Sequence, residues 1–218
     1  MPIKKIVTIF GLIVLCCCEV YSQSFRDNTN TKENKYVNTE GFTVGARFSP
    51  SDAGANYYRK SVTNGTFEYY LLNLPLKPAN YQTHYANGEV KNFDVQIGVL
   101  DLPMIKEEYQ QSSGYIIKLR AEYLYNSKLY GRIHFNFING FVCSYAKWAA
   151  GFRINSTNSG WEHTDELDYS RETFQKYLDK VLKNTSNSTL VREMIKIPLA
   201  DVKPGDVLIS LIGKINWA

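Results

Sequence analysis

The chain has 218 residues, of which 44% are hydrophobic and 21% are charged, and this composition excludes collagen-like, low-complexity and largely disordered proteins. Its 25 Lys and Arg against 21 Asp and Glu leave a net charge of +4, and the charges are scattered singly, which argues against a nucleic-acid partner. Aromatic residues are frequent, with 16 Tyr among them, and such rings suit both cores and polar binding surfaces.

The first 22 residues have the pattern of a secretory signal peptide. Lys4 and Lys5 precede an uncharged apolar run over residues 6–18, which is shorter than the ~20 apolar residues that a spanning helix needs. We predict cleavage after Ser22 and a secreted or periplasmic protein. We expect no transmembrane helix in the mature chain.

Three of the four cysteines lie in this apolar run, so the cysteine pattern bears on the export route. Cys16, Cys17 or Cys18 could instead become the acylated first residue of a lipid-anchored protein, although the bulky Leu15 argues against a lipoprotein cleavage site. That alternative stays open. Cys143 is then the remaining thiol, and we expect it to be a buried, inert residue.

Residues 23–40 are polar and nearly free of aliphatic side chains, which predicts a flexible leader. A single domain is predicted over residues 41–218, because no second polar linker divides them. The leader would let this domain stand away from its point of exit.

The first half of the predicted domain contains short elements. Residues 67–74 form an apolar run that ends at Pro75, and Asn87-Gly88 within residues 85–90 predicts a hairpin turn. The alternation of apolar and polar residues over 93–100 predicts a half-buried strand.

The longest predicted helix covers residues 106–129. Its expected packing stripe recurs at spacings of three and four residues and consists of Tyr115, Ile116, Leu119, Tyr123 and Leu124. A strand is predicted next, over residues 132–138, with Ile133, Phe135 and Phe137 on its inner face.

The remaining elements complete an α+β class. Asp168 or Ser170 can cap a second helix with an apolar stripe from Phe174 to Leu182, and residues 189–196 predict a shorter helix. The turn at residues 203–206 leads into a predicted buried strand over 207–212. Helices and strands that alternate in this order predict one antiparallel sheet with packed helices.

The search for nucleotide and metal motifs is negative. The sequence has no phosphate-binding glycine loop, and its three His, at 84, 134 and 163, have no companion at metal-ligand spacing. We therefore predict no metal site and no cofactor.

Three groups of residues are candidates for function, each with a structural alternative. His134 could act as a base on the polar face of its strand, or it could be a hydrogen-bonded strand residue. Glu122 could orient a catalytic partner, or pair with Arg120 on the helix surface. Trp161, with the ionisable residues up to Glu166, could contact sugar or peptide, or lie in a solvated loop.

Several segments together resemble the secreted bacterial family called domain of unknown function 4846. They lie between about residues 67 and 208 and are Asn73 to Pro78 (NLPLKP), Lys118 to Tyr125 (KLRAEYLY), Ile133 to Phe137 (IHFNF) with Asn139 to Phe141 (NGF), Lys147 to Arg153 (KWAAGFR) and Pro204 to Val207 (PGDV). The KLRAEYLY and KWAAGFR segments are the most specific. The resemblance fits a secreted protein of Gram-negative bacteria.

The resemblance implies a catalytic pattern that this chain lacks. In the family a Cys opens the long helix and a Gly-His pair follows the strand after the GDV turn, an order similar to the papain-like NlpC/P60 cell-wall amidases. Here Ser112 stands at the Cys position, and the residues after Val207 contain no Gly-His. The resemblance therefore implies either a relative that has diverged and lost catalysis or a papain-like core that is truncated at its carboxyl end, and an end just inside a predicted strand favours truncation.

Two functions follow from these residues. The leading hypothesis is a catalytically inactive relative that binds cell-envelope peptide or glycan through side chains such as Arg120, Trp148, Arg153 and Trp161. The alternative is a cysteine- or serine-type amidase or peptidase acting on cell-wall peptides, with Ser112, Glu122 and His134 as candidate catalytic residues. An enzyme must retain its nucleophile and base, which favours the binding protein.

Overall fold

The structure is a computed structural model that describes residues 38–48, 60–85, 87–91, 96–103, 105–106 and 112–208. The chain divides into two compact units, Met1–Met104 and Ile105–Ala218, and each is described by itself. Helices accompany antiparallel strand pairs, so the α+β class is confirmed. The predicted signal peptide and nearly all of the predicted leader lie outside the described residues.

Among its described residues, the first unit contains two short helices, α1 (Val44–Arg47) and α2 (Phe67–Leu72). Each begins after a threonine whose hydroxyl accepts a hydrogen bond from a backbone N–H of the first turn, Thr43 for α1 and Thr66 for α2. The apolar run over residues 67–74 is thus mostly helix. Its last residue, Leu74, is buried.

A hairpin turn lies farther along the first unit, as the Asn87-Gly88 signal predicts. His84 pairs with Val90 in an antiparallel bridge, and Gly88 has a φ of 86°, a backbone conformation that glycine adopts without strain. The predicted strand over 93–100 falls partly on residues 92–95, which are outside the described residues. Of its remainder, only Leu100 pairs, in an isolated bridge with Leu76.

The described part of the second unit contains the two longest helices and several shorter elements. In chain order they are α3 (Ser112–Asn126), a 3₁₀ turn (Tyr130–Arg132), β1 (His134–Asn136), β2 (Val142–Ser144), α4 (Tyr145–Ala149), β3 (Phe152–Ile154), β4 (Trp161–His163), α5 (Arg171–Asn184), α6 (Asn187–Glu193) and a second 3₁₀ turn (Leu199–Asp201).

Helix α3 is shorter than predicted, and it packs differently. Residues 107–111 lie outside the described residues, and the helix ends at Asn126, before a turn in which Lys128 has a positive φ. Of the predicted stripe only Leu119 and Leu124 are buried, whereas Ile117 and Ala121 are buried more deeply. Because α3 buries side chains around much of its circumference, no single apolar face stands out in its sequence.

Strand β1 and helix α5 agree with their sequence patterns. Ile133, Phe135 and Phe137 are all buried on the inner side of β1, as the alternation predicts. The predicted stripe of α5 is also buried, from Phe174 to Leu182. These residues form one hydrophobic core with Cys143, Tyr145 and Trp148.

The described strands form two separate two-stranded sheets, β1–β2 and β3–β4, where the sequence predicted one sheet. Each pair is a local antiparallel hairpin, because short connections favour pairing between neighbouring strands. Trp161 to His163 form β4, so the predicted loop over residues 161–166 was wrong for its first three residues, and the structure is irregular over 164–166. The turn at 203–206 is confirmed, since Asp206 N–H donates to the Lys203 carbonyl, but the strand expected after it lies mostly outside the described residues.

None of the described helices is long and apolar enough to cross a membrane.

Candidate functional site

The central pair of the candidate site joins α3 to α5. Glu122 on α3 is nearly enclosed, with 11% of its side chain exposed, and its Oε1 lies 2.6 Å from Nη2 of Arg171, whose side chain is 50% exposed. Arg171 is the first residue of α5, so the start of that helix positions the Arg171 side chain. This pair replaces the predicted surface ion pair between Glu122 and Arg120.

Lys118 adds a second cation one turn before Glu122. Its side chain is buried on α3, and burial lowers the pKa of its ammonium group, while Glu122 opposes that shift and Arg171 adds to it. Two cations thus lie close to one buried carboxylate. The exposed one, Arg171, is the one that solvent or a ligand can reach.

Aromatic rings surround the Arg171 guanidinium. Its central carbon lies 5.2 Å from the centroid of the Phe174 ring and 5.4 Å from that of Tyr125, within the range of cation–π attraction. These two rings stack on each other with centroids 4.2 Å apart. The guanidinium is therefore held by an ion pair on one side and by rings on another.

A stacked pair of tyrosines, one exposed and one partly buried, continues this surface. Tyr130 and Tyr169 stack with their ring centroids 4.8 Å apart, and Tyr169 is 40% exposed. The Tyr125 hydroxyl donates to the Tyr169 carbonyl at 2.9 Å, which ties the pair to the rings beside Arg171. We call Tyr130, Tyr169 and Arg171 the Arg171 surface.

Beneath this surface two buried polar groups have no partner. The Tyr145 hydroxyl and the Trp148 indole N–H, three residues apart on α4, make no hydrogen bond within the described part of the chain. Burial raises the pKa of the Tyr145 hydroxyl, and the neighbouring tyrosines Tyr125 and Tyr130 raise it further. Tyr145 is thus a neutral donor at the centre of an aromatic cluster.

Cys143 lies in the same core on β2. It is fully buried, and burial raises the pKa of its thiol to about 12, although the Tyr177 hydroxyl, which donates to the Cys143 carbonyl, acts in the opposite direction. A thiol with so high a pKa supplies almost no thiolate near neutral pH. This environment agrees with the prediction of a buried, inert cysteine.

His134 lies outside this region, on the exposed face of β1. Its cross-strand neighbour in the register is Ser144, and Asn136 follows it on the same face. The Glu193 carboxylate, at the end of α6, accepts a hydrogen bond from the Asn136 backbone N–H. His134 and Arg120 both act electrostatically on Glu193, so each of these two predicted site residues lies near Glu193.

Arg153 and Trp148 form a separate group at the end of α4. The Arg153 guanidinium lies 4.6 Å from the centroid of the Trp148 ring, donates to the Trp148 carbonyl at 2.7 Å and pairs with Asp165 at 2.6 Å. Trp148 itself is only 7% exposed. These contacts tie α4 to β3 and to the segment after β4.

Trp161 and Ser112 are at two further places. Trp161 is half-buried on β4, with its ring 5.5 Å from Phe141, and the Lys147 ammonium lies 5.8 Å from its centroid. Ser112 is the first residue of α3, where the resemblance expects a nucleophile. The predicted binding residues are thus divided among three places, and His134 is not on the Arg171 surface.

Sequence reasoning missed the three residues of the Arg171 surface. The high count of tyrosines was the available signal, but nothing in the local pattern distinguishes Tyr130 and Tyr169 from core tyrosines. Within the described residues, no group of three or more His, Cys, Asp or Glu is placed to hold a metal ion.

Comparison with known proteins identifies a family. The family model described as Domain of unknown function (4846) matches residues 44–214, a span that covers part of the first unit and most of the second. No curated protein and no solved structure matches the chain. Because the family match covers well over half of the sequence, the chain belongs to the family described as Domain of unknown function (4846).

Proposed function

We propose that this protein is a secreted, non-catalytic member of its family that binds cell-envelope glycopeptide at the Arg171 surface. The observation that carries the proposal is a half-exposed guanidinium, held by a buried carboxylate, beside a stacked tyrosine pair in which Tyr169 is exposed and Tyr130 is partly buried. The proposed ligand is a muropeptide, in which aminosugar rings are joined to a short peptide that carries carboxylates.

The chemistry of the surface suits both halves of such a ligand. Arg171 uses Nη2 for Glu122, and its other nitrogens can donate to a ligand carboxylate. The faces of Tyr130 and Tyr169 offer flat apolar area with polar tips, which suits the C–H face and the hydroxyls of a sugar ring. A guanidinium already fixed by Glu122 and two rings loses little conformational entropy on binding.

The nucleophiles available support binding more than catalysis. The Cys143 thiol is buried and has a high pKa, so it is a poor nucleophile. Ser112 begins α3, but a serine hydroxyl needs a strong base beside it to attack an amide. The amidase alternative would require Ser112 to have such a partner, and His134 is the first residue to test for that role.

Calorimetric titration of the purified protein with a defined muropeptide tests the proposal. We expect weak, saturable binding without turnover, and we expect Tyr169→Ala to weaken it by about tenfold, because Tyr169 provides much of the exposed ring area. Tyr81→Ala is the matched control, since Tyr81 is similarly exposed but is not part of the Arg171 surface. Arg171→Met should also weaken binding, whereas Lys176→Met, which removes another cation of α5, should not.

Two results would overturn the proposal. The first is binding that is absent in the unmodified protein or equal in all four variants. The second is hydrolysis of the muropeptide that is lost in Ser112→Ala, which would establish the amidase alternative. Circular dichroism of each variant shows whether a loss of binding reflects a loss of folding.

A further inference from the structure

A buried guanidinium in the first unit has two nitrogens without a hydrogen-bond partner among the described residues. Arg47, the last residue of α1, is 1% exposed. Its Nε donates to the Gly41 carbonyl at 2.9 Å, but Nη1 and Nη2 are buried and have no hydrogen-bond partner among the described residues.

This arrangement is energetically unfavourable without a counter-ion. A guanidinium does not lose its proton in proteins, so Arg47 remains charged when it is buried. Buried charges are normally paired and hydrogen-bonded, because an uncompensated charge carries a large desolvation cost. Two terminal nitrogens without acceptors therefore indicate that a partner completes this site.

The acidic side chains described in this unit do not compensate Arg47. Asp101 pairs with Lys77 at 2.5 Å. Glu40, on the turn that precedes α1, has an exposed side chain, and its backbone N–H donates to Asn38. No ion pair to Arg47 occurs in the parts of the unit that the structure describes.

We propose that Arg47 is the centre of an oxyanion-binding site that takes a carboxylate or a phosphate group. The two terminal nitrogens of a guanidinium match the spacing of two oxygens on either group, so one anion can accept from both. The bound anion supplies the charge and the acceptors that Arg47 lacks in this structure.

The turn over residues 38–42 borders this site. It lies directly against Arg47, because a Cβ added at Gly41 would come within 2.5 Å of the Arg47 backbone nitrogen. Among the described residues, this turn is joined to its surroundings by hydrogen bonds from the Asn38 N–H to the Arg47 carbonyl, from the Arg47 Nε to the Gly41 carbonyl and from the Leu76 N–H to the Phe42 carbonyl. Because both terminal nitrogens of Arg47 are buried, the proposed anion enters by a local opening of the chain around them.

Thermal unfolding of the full chain in sodium phosphate, sodium acetate and sodium chloride at matched ionic strength tests the site. We expect phosphate or acetate to raise the unfolding midpoint by several degrees relative to chloride, with saturation, because an anion that binds only the folded state stabilises it. A response to phosphate alone identifies a phosphate ester as the natural group. A response to acetate as well identifies a carboxylate.

Arg47→Met isolates the guanidinium. This variant keeps most of the side-chain volume without the charge, so it should lose the anion response and should match or exceed the stability of the unmodified protein in chloride. Arg47→Lys keeps the charge without the paired donors and should respond more weakly. Arg132→Met, at an exposed arginine of the second unit, should keep the full response.

The proposal fails if Arg47→Met retains the anion response, because the anions then act elsewhere. It also fails if Glu40→Gln destabilises the protein in chloride when Arg47 is present but not when Arg47 is replaced by Met, since Glu40 would then be the counter-ion. A second readout does not depend on any variant. The Nε–H resonance of Arg47 should move on titration with phosphate or acetate, and an unchanged resonance with both would reject the site.

Discussion

Glu193 shows how one residue can protect the edge of a strand. The N–H groups of Tyr145 and Phe137 donate across the β1–β2 pair, so the N–H of Asn136 points away from β2. The Glu193 carboxylate accepts from this outward N–H and leaves no free donor there. Because of this contact, the Glu193 carboxylate is partly removed from water.

That environment raises the pKa of Glu193. Burial is the largest cause, and the hydrogen bond from Asn136 and the charges of His134, Arg120 and Arg192 oppose it without cancelling it. A raised pKa means that folding favours the protonated carboxyl. The stability that the protonated Glu193 carboxyl contributes is fully present below the ordinary pKa of 4.5. It is lost as the pH rises through the raised pKa of the folded protein.

Glu193→Gln should therefore change how stability depends on pH. The amide oxygen can still accept from Asn136, but the side chain no longer ionises, so the free energy of unfolding of the variant should rise relative to the unmodified protein as the pH increases from 4 to 7. Urea unfolding at several pH values measures this difference. Glu162→Gln, at an exposed glutamate of β4, serves as the control, and a difference that stays constant or falls with pH would contradict the assignment.

At the scale of elements, the start of α5 is determined by a local network of side chains. The Ser170 hydroxyl accepts from the Thr173 N–H, and Asp168 accepts from the Ser170 N–H, the Ser170 hydroxyl and the Thr173 hydroxyl. These hydrogen bonds lower the pKa of Asp168, and the one from the Thr173 hydroxyl has the largest effect. The stability that these hydrogen bonds contribute is present above the ordinary pKa of Asp168. It is lost as the pH falls through the lowered pKa of the folded protein.

Ser170→Ala should destabilise the protein by about 1 kcal/mol, the typical cost of removing a helix N-cap. The expected signature is a lower urea midpoint with an unchanged slope, measured at neutral pH. Ser156→Ala, which removes an exposed serine hydroxyl in the turn between β3 and β4, should leave the midpoint nearly unchanged. Equal midpoints for the two variants would show that Ser170 is not a stabilising cap.

At the scale of the whole molecule, the proposed binding function depends on export. We propose that residues 1–22 act as a signal peptide, because two lysines precede a short uncharged apolar run. The mature protein would then carry the Arg171 surface outside the cytoplasm, where cell-envelope glycopeptide is present.

Expression of the full chain in a Gram-negative host should yield a product that begins at Gln23. Amino-terminal sequencing and mass spectrometry of the periplasmic fraction measure this directly. A variant lacking residues 2–22 is the control and should remain in the cytoplasm. A product that begins at an acylated Cys16, Cys17 or Cys18 would replace the soluble protein with a lipid-anchored one.

The elements that the sequence predicted well are those whose signals are local. The stripe of α5, the Ser170 cap and the alternation of Ile133, Phe135 and Phe137 are each read within a few turns or one strand, because side-chain periodicity follows backbone geometry. Helix α3 was predicted less well, since burial around much of its circumference hides the periodicity. The order of the predicted strands along the chain could not show whether they form one sheet or two.

The sequence by itself determined the α+β class, the family, the turns and the inert character expected of Cys143. Only the tertiary structure decided which side chains lie together to form the candidate sites. Glu122 meets Arg171 across 49 residues, and Asn136 meets Glu193 across 57. The physical reason is that an ion pair or a buried charge depends on which distant segments pack together, and no local periodicity records that packing.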